Sequence, residues 1–195
     1  MLELRYLILP RFLHDKTKLE LSNLVNLDFL WGFSVEYSSV TDLLCMTKPR
    51  TLCLHLSARF SSETLPSTLK ELRNLEKLCL SRVPEVRRSF LFFRDQHQFP
   101  PHLSHISLFM CNMEEDPMPI LEKLIHLKSV EFSSGAFDGR RMVCSKGGFP
   151  QLRALEIIGQ EALEEWIVEE GSMPCLQTLA IDNCKMLEEL PRGLK

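Results

Sequence analysis

The chain has 195 residues, 45% of them hydrophobic, and a net charge of −3; it suits one globular domain and leaves no basic footprint for nucleic acid. The amino terminus Met1-Leu2-Glu3-Leu4-Arg5 shows no export signal, no apolar run reaches 18 residues, no Asn-x-Ser/Thr sequon occurs and the seven cysteines are scattered. Secretion, a membrane span and a disulfide framework are therefore not expected, and a cytoplasmic setting is.

In chain order one phrase returns eight times: an apolar residue, two variable residues, an apolar residue, one variable residue, an apolar residue. It reads Leu4-Leu7-Leu9, Leu27-Leu30-Gly32, Pro49-Leu52-Leu54, Leu75-Leu78-Leu80, Leu103-Ile106-Leu108, Leu127-Val130-Phe132, Leu152-Leu155-Ile157 and Leu176-Leu179-Ile181. The first positions are 23, 22, 26, 28, 24, 25 and 24 residues apart. Such a period marks a leucine-rich repeat. Of the 24 slots, 22 hold Leu, Ile, Val or Phe, although these types supply only 63 of the 195 residues; random placement would fill about eight slots. Pro49 is tolerable where a strand begins, and Gly32 leaves a core slot empty and marks a local irregularity.

The phrase predicts an α/β leucine-rich-repeat solenoid of about eight repeats over 1–195. A curved parallel sheet lines its concave side, and short helices and loops close the convex side. Helical spacing of Leu65, Leu69 and Leu72 predicts a helix over 64–73. Asp116-Pro117 predicts a second helix amino terminus, followed by Leu121, Leu124 and Ile125, with Glu114-Glu115-Asp116 charging it. After Glu161, the set Leu163, Trp166 and Val168 fits either a short helix or an extended segment. Cys111 and Cys184 fall three residues after the last core position, where the repeat turns out of the sheet and favours Asn or Cys. The same slot holds Phe12, Val35, Ser57, Val83, Gly135 and Gln160 elsewhere, an irregular ladder.

Residues between the core positions point outward. The stripe runs from Tyr6, Ile8, Phe29 and Trp31 through Thr51, Cys53, Lys77 and Cys79. It continues with His105, Ser107, Ser129, Glu131, Ala154, Glu156, Thr178 and Ala180. Apolar at the start and acidic at the end, it is the expected partner-binding face, with Tyr6, Ile8, Phe29, Trp31, Lys77, His105, Glu131 and Glu156 as its candidate residues. Covering of Phe29 and Trp31 by a neighbouring loop is the alternative. Residues 151–195 carry nine acids and four bases, against 17 and 19 in residues 1–150, so electrostatic partners should differ between the ends.

Phosphate loops, dinucleotide fingerprints and nucleophile elbows are absent, no catalytic residues are expected, and no cofactor or metal is assigned. His97, His102, His105 and Cys111 cluster in sequence without a ligand spacing. Arg82, Arg87, Arg88 and Arg94 lie in the longest inter-strand interval and form a modest contact candidate.

Three further strings are more specific than the repeat: 113–124 (MEEDPMPILEKL), 166–174 (WIVEEGSMP) and 181–191 (IDNCKMLEELP). Together with 17–21 (TKLEL) and 39–44 (SVTDLL) they resemble plant intracellular coiled-coil, nucleotide-binding, leucine-rich-repeat disease-resistance proteins, in the downy-mildew and virus resistance branch of crucifers. The resemblance implies a region that restrains a nucleotide-binding domain and senses a pathogen effector or a guarded host protein. It implies no catalysis in this region, and it implies that the chain is a piece of a longer solenoid with bare stack edges. A freestanding repeat adaptor, such as a ubiquitin-ligase substrate receptor relic, and a non-functional truncated paralogue are the alternatives.

Overall fold

The computed structural model describes residues 3–14, 17–46, 48–56, 64–82 and 95–194. They gather into two compact units, Met1–Arg87 with His97–Leu103, and Arg88–Gln96 with Ser104–Lys195.

In the first unit four parallel strands pair in sequence order: β1 (Tyr6–Ile8), β2 (Phe29–Ser34), β3 (Thr51–Leu56) and β4 (Lys77–Arg82). Apolar residues two apart share a face, and here that face is sealed: Leu30, Leu52, Leu54, Leu78 and Leu80 are buried. Each such Leu contributes roughly 1.5–3 kcal/mol. The residue before each strand ties the repeats together. The Arg5 carbonyl accepts from the N–H groups of Asp28 and Phe29, the Asp28 carbonyl from Arg50 and Thr51, and the Arg50 carbonyl from Glu76 and Lys77. Between strands, α1 (Asp42–Cys45) and α2 (Thr64–Glu71) supply buried Leu43, Leu65 and Leu69, and Leu72 follows α2 into the core. Pro49 is buried two residues ahead of β3 and so gives up no ladder hydrogen bond.

Gly32 does mark an irregularity, and its core slot is not empty. The β2–β3 register shifts between Leu30 and Phe33, and Phe33 fills the place expected of Gly32 with no exposure. This is a β-bulge: Trp31 and Gly32 together face Cys53. Gly32 has φ +84°, and a Cβ there would overlap the Leu9 carbonyl oxygen, so no other residue fits.

The second unit repeats the plan with β5 (His105–Phe109), β6 (Ser129–Ser133), β8 (Ala154–Ile158) and β10 (Thr178–Asp182), each pairing parallel in full register. The Ser104, Lys128 and Arg153 carbonyls each accept two N–H groups from the next repeat, as in the first unit. All eight predicted repeat strands are thus present, four per unit. Inward residues of β1 and β10 are half-buried: Leu7, Leu179 and Ile181.

The side opposite the repeat strands departs from expectation. In place of short helices and loops alone, the second unit builds a second parallel sheet from β7 (Arg141–Cys144) and β9 (Glu165–Val168). The open question after Glu161 resolves to a strand. Trp166 and Val168 alternate inward, as do Met142 and Cys144 opposite them, and all four are buried. The Trp166 indole N–H donates to the Cys144 sulfur at 3.5 Å. Burial pushes the Cys144 thiol up to about 12, partly offset by the Trp166 hydrogen bond. Arg140–Glu164 (3.6 Å) and Arg141–Glu165 (2.9 Å) flank this pairing.

The helix after Asp116 is shorter than predicted, α3 (Met118–Leu121), and Ile125 is exposed rather than core. Asp116 has two tasks. One carboxylate oxygen accepts from the Met118 N–H at 2.9 Å and the other from the Val143 N–H at 2.8 Å, bracing β7. Burial raises its pKa to about 6, against those two hydrogen bonds. Glu114 and Glu115 are exposed, so the acid run contributes one working residue.

Candidate protein-recognition faces

On each repeat strand the residues between the buried ones form an outer face. In the first unit the register sets Tyr6 beside Phe29, Phe29 beside Thr51 and Thr51 beside Lys77; a second row sets Ile8 beside Trp31, and Cys53 beside Cys79. Tyr6 and Ile8 are about 70% exposed (69% and 71%) and Trp31 is 39% exposed, so no loop covers them. Phe29 is half-buried between its neighbours. Its ring lies 5.9 Å from that of Tyr6 at 31° and 6.2 Å from that of Trp31 at 10°. Three rings in a row, with Phe29 packed against both others, present a rigid surface with little side-chain entropy to lose on binding. The bulge at Gly32 gives β2 an extra residue here, so that Trp31 stays outward while Phe33 turns in.

The edge of this patch is polar. Arg5 contacts Asp28 at 2.6 Å, and Arg50 contacts Glu76 at 3.1 Å. Lys77 is exposed at the end of the first row, two strands from Phe29. Phe12 is 62% exposed, with the Arg11 guanidinium 5.8 Å from its ring centroid. Sequence reasoning assigned Phe12 to a turn and left it out; its apolar side chain at a polar turn slot was the available signal.

The outer face of the second unit has a different chemistry. One row holds His105, Ser129, Ala154 and Thr178, the next Ser107, Glu131, Glu156 and Ala180. Glu131 is held by two hydroxyls, accepting from Ser107 Oγ at 2.8 Å and from Ser133 Oγ at 2.7 Å. Glu156 stands directly beside it in register, and two like charges on adjacent strands repel. His105 is half-buried, with Nδ1 2.8 Å from Ser104 Oγ. The eight expected residues therefore fall into an apolar group of four on β1 and β2, three of them aromatic, an acidic pair on β6 and β8, and two side chains, Lys77 and His105, outside both groups.

The turn slot is more regular physically than its sequence suggests. The residue that follows each repeat strand of the second unit adopts positive φ: Met110 (53°), Ser134 (50°), Gly159 (67°) and Asn183 (52°), and after β6 Gly135 (71°) does so as well. At the other three turns the next side chain answers the exposed backbone. Cys111 and Cys184 thiols lie 3.6 and 3.5 Å from the Phe109 and Asp182 carbonyls, and Cys184 also 3.4 Å from that of Ile157. Gln160, fully buried, accepts from the Phe137 N–H at 2.8 Å and donates to the Ile158 carbonyl at 2.6 Å. A buried amide that satisfies one donor and one acceptor does the work expected of Asn.

Among the described residues no group of three or more His, Cys, Asp or Glu gathers as metal ligands. No described helix is long and apolar enough to cross a membrane. Of the basic set, Arg82 is buried at the end of β4, where its carbonyl accepts from Arg11 Nη2 at 2.7 Å; Arg87, Arg88 and Arg94 lie outside the described residues.

No family model matches the chain. Curated relatives do. It is 60% identical over 217 aligned residues to "Probable disease resistance RPP8-like protein 4" and 58% identical to "Disease resistance protein RPP8", both from Arabidopsis thaliana and both covering all of this chain. "Disease susceptibility protein LOV1" of the same plant is 54% identical over 95% of it. The chain spans about a quarter of the length of these relatives, 22–24%. Along its whole length, the chain belongs with the RPP8-like disease resistance proteins of crucifers.

Proposed function

We propose that this chain is a non-catalytic recognition and autoinhibition module of a plant immune receptor, working by protein–protein contact in the cytoplasm. The observation that carries the reading is the row of packed rings Tyr6, Phe29 and Trp31, with Tyr6, Trp31 and the neighbouring Ile8 exposed, on the outer face of a chain similar to disease resistance proteins. Aromatic anchors ringed by polar residues are the composition of binding hot spots. The aromatic face docks the nucleotide-binding domain that the family resemblance implies, and holds it at rest. The acidic pair Glu131 and Glu156, whose mutual repulsion a Lys or Arg would relieve, takes the pathogen effector or guarded host protein.

The test is a pull-down of the nucleotide-binding domain of an RPP8-like receptor by this chain. Phe29→Ala with Trp31→Ala should weaken capture roughly tenfold or more, with circular dichroism unchanged. Equal capture by the double variant would remove the assignment of that face.

A further inference from the structure

Cys53 and Cys79 occupy the outer row of β3 and β4 and stand opposite each other in an unbroken register, Thr51 to Leu56 against Lys77 to Arg82. Directly paired residues on neighbouring strands sit about 4.8 Å apart, inside the range of roughly 4.4–6.8 Å between the Cα atoms of a disulfide. In that register both side chains project to the same side of the sheet, and the Cys79 thiol is near enough to act on the Cys53 thiol. Both are reduced, Cys53 buried and Cys79 partly exposed.

The bulge adds a second, independent feature. Because two residues of β2, Trp31 and Gly32, oppose the single residue Cys53, the Gly32 backbone is turned from the regular ladder and comes near enough to act on the Cys53 thiol. Arg11 lies close enough for its charge to act on the same thiol. The hydrogen bond from Cys79 is the largest influence and lowers the Cys53 thiol below its usual range; burial opposes this, and Gly32 and Arg11 add to it. Cys144 is the contrast: buried beside an indole, it is raised to about 12 and has no facing thiol. Cys45 and Cys175 are exposed, and neither stands opposite a cysteine in the strand registers.

We infer that Cys53 and Cys79 form a modification site, a cross-strand dithiol that a peroxide closes to a disulfide. The partly exposed Cys79 meets the oxidant. Its sulfur, passing its proton to the Cys53 thiolate, attacks one peroxide oxygen, the O–O bond breaks, and the leaving hydroxide takes that proton from Cys53 to become water. The Cys53 thiolate then attacks the Cys79 sulfur, the S–O bond breaks, and a second hydroxide leaves and is protonated. Two thiols and one hydrogen peroxide yield one disulfide and two waters. The product staples β3 to β4 beside Trp31, and the site stands independently of what the aromatic face binds.

Peptide mapping tests this on the full folded chain. A stoichiometric dose of hydrogen peroxide is followed by alkylation in denaturant and tryptic digestion without reduction. Cleavage after Arg50 and Lys77 places the two cysteines in separate short peptides, 51–59 and 78–82. The expected result is a fall in alkylatable thiols from seven to five, with these two peptides as the dominant linked pair and Cys45 and Cys175 still alkylated. Oxidation of Cys45 or Cys175 first, or a linkage pattern as scattered as in chain oxidised in denaturant, would overturn the site. In Cys79→Ser, Cys53 should remain alkylatable after the same dose; its loss at the wild-type rate would contradict entry through Cys79.

Discussion

The two units share an inward ladder and differ almost everywhere the ladder leaves them free. Both bury Leu, Ile, Val or Phe at the same two strand positions, and both carry a doubly accepting carbonyl before each of their first three repeat strands. Yet one faces solvent with stacked rings and backs its strands with α1 and α2, while the other shows Ser, Ala and Glu and backs its strands with a second sheet. Burial dictates the ladder, since each slot contributes on the order of 2 kcal/mol. The outer positions contribute little to folding and are open to selection for binding.

The largest effect that could break this comparison sets the two tryptophans against each other. Trp166→Ala removes a buried ring and its hydrogen bond to Cys144, and should cost about 3–5 kcal/mol in urea unfolding. Trp31→Ala trims an exposed ring and should cost about 1 kcal/mol or less. Equal losses would mean that the outer face is structural after all.

Next come the glycines. Gly32→Ala must place a Cβ against the Leu9 carbonyl at positive φ and should cost about 3 kcal/mol, read as the urea midpoint. Gly135→Ala has positive φ too, but open space around it, and should cost about 1 kcal/mol. A Gly32 variant no worse than the Gly135 one would remove the bulge as the device that keeps Trp31 outward.

Gln160→Ala leaves the buried Phe137 N–H without its partner and takes one of two donors from the Ile158 carbonyl, which keeps the Ser134 N–H, and should cost about 2 kcal/mol. Gln160→Asn, one carbon shorter, should recover part of the loss in the same denaturation assay if the ladder tolerates the family residue.

The smallest effect is the pH dependence through Asp116, whose folded value of about 6 lies above the ordinary 3.8. The folded chain keeps a proton that the unfolded chain releases, so stability from this group is fully present below pH 3.8 and lost as pH rises through 6. The wild-type minus Asp116→Asn difference in unfolding free energy should fall across pH 4–6 and stay flat above 7. A difference that rises with pH would show the two N–H hydrogen bonds outweighing burial.

The strands were legible because a buried face repeats every second residue and a solenoid repeats it every 22–28. Phe33 was missed because a bulge moves the core position by one, and a glycine reads as an empty slot rather than as a displaced one. The β7–β9 sheet was missed for a related reason. Met142 and Cys144 alternate over only four residues, too short to separate from a loop without their partner Trp166 and Val168 in view. The outward placement of Tyr6, Phe29 and Trp31 was legible because each falls between two core positions of its repeat. Phe12 escaped because its exposure depends on the path of the chain after β1.

Hydrogen exchange of this chain with and without the nucleotide-binding domain of an RPP8-like receptor tests the central claim most directly. The account predicts added protection over 6–8 and 29–31, with 129–131 and 154–156 unchanged. Protection confined to the acidic strands, with 6–8 and 29–31 unaltered, would contradict it.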